Sequence, residues 1–134
     1  MTEEEWYRFL CGGGPQIVTV CELPSELCRA IGASSPIVRM HHAYALKSCH
    51  KHGFGAYEFL SLPLTLEFGR CICDREGHLT FFYFEPVVFG RWFHASLKRN
   101  GNATEVWVTT FHHSRHGEVA RKCKKATLIR PEKE

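Results

Sequence analysis

Runs rich in β-forming residues fill most of the second half of the chain, and in the last two long ones apolar and polar positions alternate with the two-residue period of β-strands. Four such runs follow one another: LEFGRCICD (66–74), LTFFYFEP (79–86), RWFHASLK (91–98) and TEVWVTTFHH (104–113). The segments between them, REGH, VVFG and RNGNA, carry turn residues, and the Asn-Gly of the last favours a hairpin. Connections this short predict an antiparallel meander, to which ATLIRP (126–131) offers a further edge strand.

The first half is patterned differently. Residues 1–10 predict a short helix or arm, which CGGGP (11–15) ends. QIVTV (16–20) is β-rich, and PIVRM (36–40) is extended. Between them LPSELCRAIGAS (23–34) reads as a helix, with Pro24 and Ser25 suiting its start and Gly32 its stop. HHAYALKSCHKHG (41–53) reads as a second helix. In it Ala45, Leu46, Cys49 and His52 follow the helical spacing, so His52 is expected on or beside the buried side and Lys47 and Lys51 outward. FGAYEFLSLP (54–63) connects the halves. Helices followed by strands make an α+β fold. One domain is expected over 1–134: an arm or short helix to residue 15, a helical half over 16–65 and an antiparallel sheet over 66–130.

Strand alternation sorts the candidate chemistry. In RWFHASLK, Phe93, Ala95 and Leu97 share one face, opposite Trp92, His94, Ser96 and Lys98. In TEVWVTTFHH, strict alternation puts Trp107, Thr109 and Phe111 on one face, opposite Val106, Val108, Thr110 and His112. Adjacent antiparallel strands can bring His94, Ser96 or Lys98 beside Thr110 and His112, although the period alone leaves register open. The dense run TTFHHSRHG (109–117) is thereby divided, with His113 turned away from His112.

The net charge of +3 with nine histidines is mildly basic, compatible with a polyanionic partner without demanding one. No apolar run approaches the roughly 20 residues of a membrane span, so no membrane association is expected. The acidic start MTEEEWYRF lacks the basic region of a signal peptide, which predicts a cytoplasmic location, with export as an effector left open. Seven cysteines without a CxxC pair predict free, partly buried thiols rather than a disulfide framework.

Three chemistries suit these residues. Metal ligands are present in HH (41–42), HKH (50–52), HH (112–113) and Cys71/Cys73, but the HKH imidazoles point about 200° apart on a helix, and no metal or other cofactor is expected. A cysteine nucleophile paired with histidine is a second option. The third is RNA cleavage without a metal. It needs a base for the ribose 2′-OH, an acid for the leaving 5′-oxygen, and cations or donors for the phosphorane-like charge. Histidine suits the proton transfers, with an unperturbed pKa of about 6.5. Lys98, Arg115, Thr110 and Ser114 suit the phosphate.

The order of motifs carries a resemblance. VTVCELPSELCRAIGASSPIVRMHHAYALKSCHKHG resembles the opening of phage-associated domains of the barnase–EndoU–colicin–RelE-like (BECR) nuclease superfamily. The matching pieces are Leu23-Pro24 through Gly32, Ile37 to Met40, and Lys51-His52, followed by YEFLSLP, HASLK and VWVTTFHHS. The similarity covers roughly residues 17–130. It implies a small RNase-like α+β fold, with N-terminal helices packed on a four-stranded antiparallel sheet. It also implies a metal-independent endoribonuclease, a toxin or phage-derived effector cutting tRNA or mRNA by 2′-OH attack to a 2′,3′-cyclic phosphate. RNA is the implied partner, with room for a cognate antitoxin or immunity protein.

Carried over, His52, Lys98, Thr110 and His112 are the catalytic candidates, and Ser114, Arg115, Lys51 and His94 the substrate-binding ones. His41, Lys47 and His112 stand where relatives often carry serine, histidine and arginine. Which histidine is acid and which base therefore stays open. The alternative is a non-catalytic RNA- or protein-binding module of phage origin.

Overall fold

Thr2 opens the first helix with a reciprocal cap: its hydroxyl accepts from the Glu5 N–H, and the Glu5 carboxylate accepts from the Thr2 N–H. In the computed structural model, which describes residues 1–133, this is α1 (Glu3–Leu10), and it buries Trp6 and Phe9. Then come β1 (Ile17–Glu22), α2 (Ser25–Ile31), β2 (Ile37–His41) and α3 (His42–His52). After the short α4 (Ala56–Phe59) come α5 (Ser61–Phe68), β3 (Arg70–Cys73), β4 (His78–Glu85) and β5 (Arg91–Arg99). The chain finishes with β6 (Val106–Ser114), α6 (His116–Lys125) and β7 (Thr127–Arg130). Among these residues no helix is long and apolar enough to cross a membrane.

The strands form one seven-stranded sheet in the order β1-β2-β6-β5-β4-β3-β7. The class is α+β, but the expected four-stranded antiparallel sheet is incorrect. The meander β3–β6 is extended on one side by β7 and on the other by β2 and β1, and β2 runs parallel to β6. Short runs such as QIVTV and PIVRM carry β propensity but no mark of their partner, so sequence reasoning assigned neither to the sheet.

Two further corrections concern helices. Residues 61–68 form α5, so 61–63 are helix rather than connector and 66–68 are helix rather than the start of a strand, because Leu62, Thr65 and Leu66 make a buried helical stripe. The Thr65 hydroxyl is satisfied by the Ser61 carbonyl at 2.7 Å. Pro63 lies in the first turn, where a helix tolerates it. The other helix, α6, went unread because only Val119 and Cys123 mark its apolar side, four residues apart.

The core lies on one face of the sheet. Phe81 of β4, Phe93, Ala95 and Leu97 of β5, and Val108 and Phe111 of β6 pack against Trp6, Leu27, Phe59 and Leu62 from the helices. Phe93 and Phe111 stack with centroids 5.5 Å apart. The opposite face is covered only in part, where Val119 of α6 packs on Ile72 and Phe82.

Gly69 joins α5 to β3 where any side chain would collide. A Cβ there would lie 2.4 Å from the Thr65 carbonyl oxygen and 2.9 Å from that of Phe82. Buried Arg130 ties the same corner, its guanidinium donating to the Leu66 and Gly69 carbonyls at 3.0 and 2.9 Å. A cation at the end of α5 also complements the helix dipole.

Candidate functional site

A bulge in β6 decides which side chains meet. Ser96 faces Thr110, but Leu97 faces Val108, so Thr109 is an extra residue. Strict alternation is broken there, and Val106, Val108 and Phe111 all enter the core. Trp107 faces Lys98 across the strands, and Thr110, His112 and Ser114 face Ser96, His94 and Trp92. The expected grouping of Trp107 with Phe111, and of Val106 and Val108 with His112, is thereby corrected.

The uncovered part of this face is a groove of about 410 Å³. Its floor is Thr80 of β4, His94, Ser96 and Lys98 of β5, and Thr109 and Thr110 of β6. Lys122 of α6, Arg75 of the turn between β3 and β4, His78 at the start of β4, and Tyr44 of α3 stand around it. Three cations, Lys98, Lys122 and Arg75, share the groove with a single carboxylate, Asp74. The arrangement suits an anion bound over hydroxyl donors.

Beside the groove three imidazoles stand in a row, each tilted by 32–34° to the next. The centroids of His94 and His112 lie 4.4 Å apart, and those of His112 and His52 4.7 Å apart. His52 arrives from α3, which runs beside β6 where β2 has ended. Ser48 anchors that helix, its buried hydroxyl donating to the Phe111 carbonyl at 2.7 Å. Gly53 takes the left-handed conformation (φ 70°) that ends α3 one residue after His52. Ala45 and Ser48 are the buried residues of α3, whereas His52 is exposed apart from its contact with His112.

The three rings differ in chemistry. His94 is buried, within 2.9 Å of the Ser96 hydroxyl and 3.4 Å of the Ser114 hydroxyl. Burial, reinforced by His112 and Lys122, pushes its pKa down to about 3, so it is neutral at pH 7. Partial desolvation, then the charges of His112 and Lys51, hold His52 below the usual histidine value. In His112 the Nδ1 lies 2.7 Å from the His113 carbonyl, which can only accept. Nδ1 therefore carries the hydrogen, and Nε2 is left free to take a proton.

Of the residues singled out in the sequence, His94, Lys98 and Thr110 line the groove, and His112 and His52 extend from it as the row of tilted rings. Ser114 is buried behind His94, its hydroxyl engaged by that ring. Arg115 is exposed at the N-cap of α6, and Lys51 is exposed on α3; neither lines the groove. His113 lies on the core side, its ring 4.5 Å from Phe93 and its Nδ1 donating to the Trp92 carbonyl at 3.2 Å. His116 stands four residues after His112, but the change from strand to helix sends it to the Trp92 indole instead.

Sequence reasoning missed Lys122, Arg75, Tyr44 and Thr80. Thr80 was accessible through the alternation of β4, on the face opposite Phe81. Lys122 was hidden by the unread helix, and Arg75 by a segment read only as a turn.

Six of the seven thiols are at least partly buried, and only Cys11 is exposed. Burial pushes the Cys21 and Cys71 thiols up to about 12, which makes them poor nucleophiles at neutral pH. Among the described residues no three His, Cys, Asp or Glu side chains are grouped as a metal site. No family model, curated protein or solved structure matches this chain.

Proposed function

We propose that the protein is an endoribonuclease that cleaves RNA by histidine acid–base chemistry at the groove over β4, β5 and β6. One observation carries this reading: the same sheet face joins a cationic groove lined with hydroxyls to a row of histidines that ends at the surface. Lys98 and Lys122 hold the scissile phosphate, assisted by the Thr110 hydroxyl. His112, with its free Nε2, removes the 2′-OH proton. The 2′-oxygen then attacks phosphorus, the P–O5′ bond breaks, and His52 protonates the departing 5′-oxygen. The products are a 2′,3′-cyclic phosphate and a 5′-hydroxyl end. Neutral His94 sits behind His112 as a positioning residue, held by Ser96 and Ser114.

None of these steps draws on a metal ion, so the reading expects activity in excess EDTA. The test uses total tRNA and mRNA with the wild type, His52→Ala and His112→Ala. Cleavage by the wild type and its loss in both variants supports the reading. An inactive wild type, or equal cleavage by all three proteins, contradicts it. RNA binding without scission identifies a binding module instead, recognisable by its strong salt dependence. In growing cells, a nuclease acting as a toxin arrests growth on expression, and the two histidine variants do not.

A further inference from the structure

A second cavity of about 330 Å³ opens beside the groove and shares Tyr44, Lys98 and Thr109 with it. Its volume falls within the ~300–1,000 Å³ typical of small-molecule sites. Its distinctive walls are aromatic: half-buried Trp107 from β6, Tyr44 from α3, and the His41 imidazole. Trp107 stands opposite Lys98 across the two strands, so an indole and a phosphate-binding ammonium are immediate neighbours.

The other polar walls are already occupied. Asn100 donates to Thr104 and Glu105 and accepts from the N–H groups of the same two residues. Arg99 donates to the Ile31 carbonyl at 2.9 Å and to Glu76 at 3.2 Å. Thr109 donates to the Ser96 carbonyl at 3.4 Å, and the Lys47 ammonium covers one face of Tyr44 at 4.8 Å from its centroid. What remains for a ligand is the other ring surface, the Lys98 ammonium and one ring donor. His41 Nδ1 accepts the Ala43 N–H at 3.1 Å, so the hydrogen of the neutral ring lies on Nε2.

A flat π-system attached to a phosphate fits this combination. The geometry points to a nucleobase subsite, in which Trp107 and Tyr44 stack the base next to the phosphate held at Lys98. The assignment rests on the groove's holding an RNA phosphate. Because stacking outweighs the single hydrogen bond, the subsite accepts any base while discriminating strongly against none. Base–aromatic stacking is worth ~1–3 kcal/mol per base, equivalent to about 5- to 150-fold in affinity.

The test measures binding, so that it does not depend on scission. A labelled 2′-O-methyl trinucleotide, which lacks the attacking hydroxyl, is compared with its fully abasic counterpart by fluorescence anisotropy. The wild type is expected to favour the base-bearing ligand by about 5- to 150-fold. Tyr44→Ala combined with Trp107→Ala is expected to bind both ligands alike and to keep the salt dependence of the phosphate contacts. Should the double variant not fold, the single changes decide. Tyr44→Ala, at an exposed helix position, must shrink the advantage, and Trp107→Phe, which keeps a ring, must retain most of it.

Equal binding of both ligands by the wild type overturns the subsite, as does an advantage that survives loss of both rings. Binding of neither ligand overturns it as well. Base-dependent binding by a wild type that leaves RNA uncut upholds the subsite and removes only the nuclease reading.

Discussion

The rings of His94 and His112 lie 4.4 Å apart on facing positions of β5 and β6, inclined by 34°. One is buried and neutral between two serine hydroxyls, and the other is half-buried with one nitrogen committed to a backbone carbonyl. The pair sets a buried, neutral ring on the inside and a half-buried ring with an unengaged Nε2 on the outside.

The buried imidazole makes stability depend on acid. His94 titrates near 3 when folded and near 6.5 when unfolded, so between those values the unfolded chain binds more protons. Its contribution is complete above about pH 6.5 and is lost as pH falls towards 3. Urea unfolding across this range should show a slope that His94→Gln reduces by up to about 1.4 kcal/mol per pH unit. An unchanged slope contradicts a neutral, buried His94.

Lys98 and Lys122 should act through charge. Lys98→Gln and Lys122→Gln are each expected to weaken binding of all single-stranded RNAs similarly. Each should also flatten the plot of log affinity against log salt by about 0.7 for every phosphate left without its cation. A steep slope that neither change alters places the nucleic acid elsewhere on the protein.

Ser48 links α3 to β6, and therefore His52 to His112. Ser48→Ala leaves the Phe111 carbonyl without its side-chain donor and is expected to cost about 1–3 kcal/mol in denaturant unfolding. A change below about 0.3 kcal/mol means that the bond does not hold the helix.

Gly69 tests the packing of α5 onto the sheet. A methyl group there collides with two backbone carbonyls, and Gly69→Ala is expected to lower stability by about 1–3 kcal/mol. A substitution without effect on unfolding contradicts the close approach.

Much of this site was legible because β5 alternates without interruption: Trp92, His94, Ser96 and Lys98 share a face in sequence and structure alike. The extra residue in β6 was not legible. Thr109 resembles any other strand residue, yet it returns Phe111 to the face of Val108. His52 could be placed at a helix end from Gly53, but its contact with His112 depends on α3 lying beside β6, a tertiary fact. The parallel pairing of β2 with β6 spans only Val38 and Arg39, too short to leave a pattern. In LSLPLTLEF the apolar residues alternate with Ser61, Pro63, Thr65 and Glu67, a strand-like period that tertiary packing overrides by burying Ser61, Leu62, Thr65 and Leu66 on one side of α5.

The most direct measurement is the chemistry of the ends produced from a single-stranded RNA in excess EDTA, read by mass spectrometry. The proposed cleavage yields 2′,3′-cyclic phosphate and 5′-hydroxyl ends with the wild type and none with His112→Ala. Intact RNA, fragments ending in a 3′-hydroxyl, or the same cyclic ends from His112→Ala would contradict it.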